Sequence, residues 1–172
     1  MKGLIRVILA RSSLPATSVH GITHWARVLE NGRRIAPVTG ADPRVLEFFS
    51  VLHDSCRESD GYDPEHGPRA AALARELRAD IDLADQEFAW LLEACHSHTR
   101  GAPFDAPVSV LTCLDADRLD IPRVGMKIKP DLLFTAAARD PAVLSWATDR
   151  AERRSLPSLL RDEWGWKGGR RS

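Results

Sequence analysis

The chain predicts an all-α fold, a single-domain helical bundle, and three features carry that expectation. Apolar residues recur at helical spacing, as in Val45, Leu46, Phe49 and Leu52. Alternating runs of strand length are missing, and no internal repeat is visible. Turn formers cut the chain into helix-sized segments joined by short connections. With 172 residues, 44% of them hydrophobic, the chain is long enough for one real core.

Taken in order, Leu4 to Arg11 reads as a short amphipathic helix. Arg6 interrupts its apolar run, which is too short for a signal-peptide core or a membrane span. Ser12-Ser13-Leu14-Pro15 breaks it, and Ser18 is the expected N-cap of a helix carrying His20, His24, Trp25, Val28 and Leu29. Asn31-Gly32 is expected to end or bend that helix. Asp42-Pro43 starts the next helix, which runs to His53. The loop Glu58 to Pro64 follows, then a helix from Arg69 to Arg78 opened by Glu65-His66-Gly67-Pro68. Glu87 to His96 and Val108 to Leu119 are further helices, the second leading Asp115, Asp117 and Asp120. Met126 to Pro130 reads as a short extended piece, and Leu132 to Ala138, Val143 to Arg154 and Leu156 to Trp164 read as helices.

Charge excludes some functions. Lys+Arg and Asp+Glu are equal at 24 each, so the electrostatic footprint of a duplex nucleic-acid binder is missing. The basic cluster Lys167-Gly-Gly-Arg170-Arg171 reads as a solvated end. Three cysteines, Cys56, Cys95 and Cys113, give neither a disulfide framework nor a zinc ribbon, and point to a reducing, cytoplasmic setting. No segment is expected to enter a membrane.

Chemistry centres on His53-Asp54, which an apolar run, Phe48 to Leu52, leads into. Burying an imidazole beside a carboxylate is costly unless both are satisfied. A metal ion does so by accepting a nitrogen from one and an oxygen from the other; a hydrogen-bonded His-Asp pair or a solvated helix end are the plainer alternatives. Six histidines, at positions 20, 24, 53, 66, 96 and 98, sit at helix ends or in adjoining loops. Bundles build metal sites from side chains that converge from several helices.

The order His24-Trp25-Ala26-Arg27-Val28, His53-Asp54, then Asp117-Arg118-Leu119-Asp120 resembles the metal-dependent phosphohydrolase superfamily named for its HD dipeptide. The resemblance spans about residues 18–120, with 121–172 a helical C-terminal extension that covers the core or forms a homodimer face. It implies a single HD-type domain in which His24, His53, Asp54 and Asp117 bind one divalent metal, Mn, Fe, Co, Ni, Zn or Mg. His20 competes with His24 as first ligand. The implied activity is hydrolysis of a small phosphorylated compound, such as a nucleotide, by a metal-activated water. Asp54 or a nearby histidine assists the proton transfer, and Arg57 steadies the phosphate. His66 and His98, with His96 as a rival to His98, fall where relatives of this kind hold a second metal or a substrate phosphate. Gly61-Tyr62-Asp63 departs from the cyclic-dinucleotide branch, so that cleavage is not implied. Asp120 is expected as a helix-end cap or a solvated group, with contact to a sugar or to the far side of a ligating histidine as the alternative, and Tyr62 and Phe104 as loop residues near the mouth. The competing function is a non-catalytic metal-binding module that regulates or senses a ligand.

Overall fold

The computed structural model describes residues 1–168. Among them are nine α-helices and three short 3-10 turns, with no strand. The helices are α1 (Lys2–Arg11), α2 (Ile22–Thr39), α3 (Pro43–Leu52), α4 (His66–Glu76), α5 (Asp85–Ser97), α6 (Val108–Arg118), α7 (Ala136–Arg139), α8 (Pro141–Glu152) and α9 (Leu159–Asp162). None of them is long and apolar enough to cross a membrane. The cluster Lys167 to Arg171 lies mostly outside the described residues.

Helix α2 is the central element, packed against α3 and α6, while α5 joins α3, α4 and α6. Trp25, Phe49, Leu52, Leu91 and Leu114 are among the fully buried side chains that fill the space between them. Burial of such side chains contributes roughly 1.5–3 kcal/mol each and is the main force holding the helices in register.

Local signals explain several helix starts. Asp42 caps α3 through its side chain, which accepts from the backbone N–H of Arg44 and Val45, and Pro43 takes the first position. Asp140 and Pro141 repeat the device on α8. Helix α2 differs from expectation at both ends. The Ser18 hydroxyl engages Asp60 and the His20 N–H instead of capping, and the helix starts after Gly21. Nor does α2 stop at Asn31-Gly32. Asn31 is buried and its amide donates to Ala116 O (2.9 Å), while Gly32 lets Leu46 of α3 approach the backbone. The helix ends at Gly40, whose φ of 78° and N–H to Ala36 O close the last turn.

Gly67 sets the approach of α4 to α5. A Cβ there would lie 2.6 Å from Cys95 O and 3.1 Å from His96 O, both backbone atoms of α5. Only glycine lets the first turn of α4 touch α5 so closely.

Met126 to Pro130 pairs with no strand, and the stretch expected as a helix from Leu132 is a 3-10 turn, an extended link and the short α7. Asp115 explains the difference. Its buried carboxylate accepts from Phe134 N, Thr135 N and the Thr135 hydroxyl, each at 2.8 Å, and holds that link extended. Residues after 120 pack against the outer side of α2. Leu133, Ala138 and Ala147 form a small second core with Ile35 and Leu119, and Arg33 pairs with Glu163.

Candidate metal centre

The site forms where the start of α2, the end of α3, the start of α4, the end of α5 and the end of α6 meet. His24 lies in the first turn of α2 and His53 closes α3, with Asp54 in the turn behind it. His66 opens α4, His98 caps α5, and Asp117 lies in the last turn of α6. His24 and His53 are fully buried, and the Asp117 side chain retains a little exposure.

Three ligand atoms converge in the first group, with an oxygen of Asp54 beside them. His24 Nε2 is 3.1 Å from His53 Nε2, 3.3 Å from Asp117 Oδ1 and 3.4 Å from Asp54 Oδ2. His53 Nε2 is 3.7 Å from each of those two oxygens. Ligand atoms about 2.1 Å from one ion lie roughly 3.0 Å apart at right angles and roughly 3.4 Å apart at tetrahedral angles. His24, His53 and Asp117 are thus spaced to hold a metal ion, and Asp54 turns one oxygen to the same point.

The other oxygen of Asp54 faces a second group. Asp54 Oδ1 lies 3.0 Å from His66 Nε2 and 3.6 Å from His98 Nε2, and those two nitrogens are 2.9 Å apart. Asp54, His66 and His98 form a second triad that could hold a cation. One carboxylate therefore stands between two pairs of imidazoles.

The far ring nitrogens explain why the near ones are available. His24 Nδ1–H donates to Asp120 Oδ2 at 2.7 Å. His53 Nδ1–H is shared between Phe49 O and Ser50 O, both at 3.1 Å. His98 Nδ1–H donates to Cys95 O at 2.6 Å, and His66 Nδ1–H to Asp63 O. With every Nδ1 on an oxygen acceptor, each neutral ring keeps its lone pair on Nε2. Two lone pairs facing each other at 3.1 Å need a proton or a metal ion between them. That donor set fits a borderline first-row cation.

Without a metal, electrostatics favour a proton on His24. Burial opposes charge on His24, but Asp117, Asp120 and Asp54 outweigh it and push its pKa up to about 9. His53 goes the other way: burial pushes it down to about 3 and keeps it neutral. Burial also opposes ionisation of Asp54. The histidines around it, His53, His20, His24 and His66, outweigh that and hold the carboxyl well below its usual range. Asp117 is likewise held low, by His24 and His53 against burial.

Several residues differ from their expected places. Asp120 takes the alternative place, behind a histidine, and is neither a cap nor solvated: it is buried, and Arg27 grips it with Nε (2.7 Å) and Nη2 (3.1 Å) while it orients His24. His20 stands beside the first group, with Nδ1 2.9 Å from Asp54 Oδ2, and Trp25 Nε1 ties down its carbonyl. His96 is exposed, whereas His98 points inward. Because α3 stops at Leu52, Arg57 arrives from a turn and not from the helix face. Its Nη2 donates to Gly61 O, and Nη1 lies 3.1 Å from His66 Nε2 and 3.6 Å from Asp54 Oδ1. Arg123, from the turn after α6, lies beside His20 on the other side, a residue that no sequence spacing marks.

A cavity of about 320 Å³ opens onto this cluster. His20, Asp54, Arg57, His66, Asp117 and Arg123 line it, and Tyr62 stands exposed on its rim. Phe104 is fully exposed and is not part of the lining. No family model, curated protein or solved structure matches the chain.

Proposed function

We propose that the protein is a metal-dependent phosphohydrolase of the HD type, acting on a small phosphorylated compound. One observation carries the reading: two imidazole Nε2 atoms, 3.1 Å apart, each lie 3.3–3.7 Å from one oxygen of Asp54 and one of Asp117, beside a cavity that two arginines line. His24, His53, Asp54 and Asp117 would hold one divalent ion. When bound, such an ion polarises a phosphoryl oxygen and acidifies a coordinated water.

The chain's own residues supply the rest. Arg57 and Arg123 approach the cavity from opposite sides and suit the spread charge of a phosphoryl group. Asp120 holds the His24 ring in the orientation that presents Nε2. Asp54, held well below its usual range, is a weak base, so its role is to anchor cationic charge. His20 is the neighbouring histidine best placed to move a proton: its Nδ1 lies on Asp54, which leaves Nε2 for the cavity it lines. Arg57 already supplies positive charge at the second triad, so a single metal is the expected complement.

Two measurements test the reading. Metal content of the purified protein should be close to one divalent ion per chain, and Asp54→Ala should lose it while keeping its helical circular-dichroism spectrum. Turnover of p-nitrophenyl phosphate and a panel of nucleoside monophosphates, with and without Mn, should depend on that metal. Metal retained in full by Asp54→Ala would contradict the ligand assignment. Metal without turnover of any substrate would instead assign a ligand-sensing role.

A further inference from the structure

Arg123 has more donors than the site uses. The guanidinium is buried, with Nε donating to Val19 O (3.0 Å) and Nη1 to Asp120 O (3.1 Å). Nη2 lies 3.1 Å from His20 Nδ1, which itself lies 2.9 Å from Asp54 Oδ2. A ring nitrogen carries one hydrogen or one lone pair, and an ionised carboxylate only accepts. His20 Nδ1 is therefore the donor to Asp54 and offers Nη2 nothing. Among the described residues Nη2 of Arg123 therefore has no true acceptor and is left with donor capacity beside His20.

The same guanidinium forms one wall of a second cavity, of about 60 Å³, which Thr17, Ser18, Thr23, Arg27 and Arg154 also line. Among the described residues Asp120 is the one carboxylate that Arg27 and Arg123 touch, so positive charge is in excess there. Arg154 adopts a φ of 49°, a left-handed conformation unusual for a non-glycine residue, and its Nη2 reaches toward Arg123 O. The cavity also lies at the start of α2, which has no side-chain cap, and among the described residues the Thr23 and His24 N–H groups find no acceptor. A water takes roughly 10–15 Å³ of such space, so the cavity holds about four to six water-sized atoms, the size of one tetrahedral oxyanion.

We propose that this cavity between Arg27, Arg123 and Arg154 is a second oxyanion site, taking a phosphate ion or the phosphoryl group of a phosphomonoester. Arg123 is the residue it shares with the cavity at the His/Asp cluster, and it needs no metal. Because Arg123 lines both cavities, an anion in the smaller one draws on charge that the larger one also uses.

Inorganic phosphate titrated calorimetrically into the full-length protein tests it. The wild type should bind with one site per chain beyond any bound at the metal. Arg154→Gln should weaken that binding about tenfold, by loss of a charged hydrogen bond, and Arg154→Lys should restore part of it. Arg57→Gln, which alters only the larger cavity, should leave it within about twofold. No binding by the wild type, an unaffected Arg154→Gln, or loss in Arg57→Gln with Arg154→Gln intact would overturn the proposal. A parallel titration with glycerol phosphate separates the sources: binding of both assigns phosphoryl recognition, and binding of inorganic phosphate alone a free-ion site. A metal-free, inactive protein that still binds phosphate through Arg154 would sink the hydrolase reading and leave this one standing.

Discussion

Asp120→Asn is the most informative single substitution, because it keeps shape and removes charge. Asp120 receives two bonds from Arg27 (2.7 and 3.1 Å) and one from His24 Nδ1 (2.7 Å), with the Arg123 Nε at 3.8 Å, and it is buried. An asparagine accepts on one side only, and its NH2 must face an arginine or a histidine N–H, donor against donor. Breaking a buried pair and leaving a guanidinium uncompensated costs about 3–5 kcal/mol. For a chain of this size each kcal/mol lowers Tm by roughly 2–4 °C, so a fall on the order of 10 °C is expected in a thermal melt. The His24 ring also loses its anchor, and outer partners of this kind change metal affinity about 10–100-fold. Chelator competition reads that second effect separately. A variant that melts with the wild type and holds metal equally tightly would show that Asp120 neither supports the fold nor sets the His24 ring.

Other expectations concern charge and packing. The raised pKa of His24, about 9 against 6.5 unfolded, contributes stability to the metal-free protein in full below pH 6.5, and that contribution is lost as pH climbs through 9. A metal binding at Nε2 displaces the same proton, so apparent affinity should rise about tenfold per pH unit until about pH 9 and then level off; buffer-dependent calorimetry should count one proton released, and a flat profile would refute it. Arg57→Leu removes the guanidinium 3.1 Å from His66 Nε2 and should raise bound metal from one toward two per chain, as read by elemental analysis. Gly67→Ala places a methyl against Cys95 O and His96 O and should destabilise by about 1–3 kcal/mol in urea melts. It should leave metal at His24, His53 and Asp117 in place.

Much of the fold is legible where the signal is local. Asp42-Pro43 starts α3 as written, and the apolar spacing through Leu52 marks its buried face. Local signals fail where tertiary contacts override them. Asn31-Gly32 has the look of a helix end, yet both residues lie on a face that Ala116 and Leu46 occupy, so the helix runs on to Thr39. Ser18 has the chemistry of a cap, but Asp60 takes its hydroxyl. At the centre, the pairing of His20 with His24 four residues apart cannot say which faces inward; the hydrogen bond from His24 to Asp120, 96 residues away, distinguishes them. Arg123 carries little signal of its own: apart from Asp120, its partners Val19 and His20 come from the far end of the chain and no spacing rule connects them.

The position of Asp54 between two pairs of histidines has a consequence for how the centre fills. Each oxygen belongs to a different group, yet they share one delocalised negative charge. Drawing electron density toward one side weakens what the other side can offer. A cation held by one group would therefore lower the affinity of the other, because both draw on Asp54.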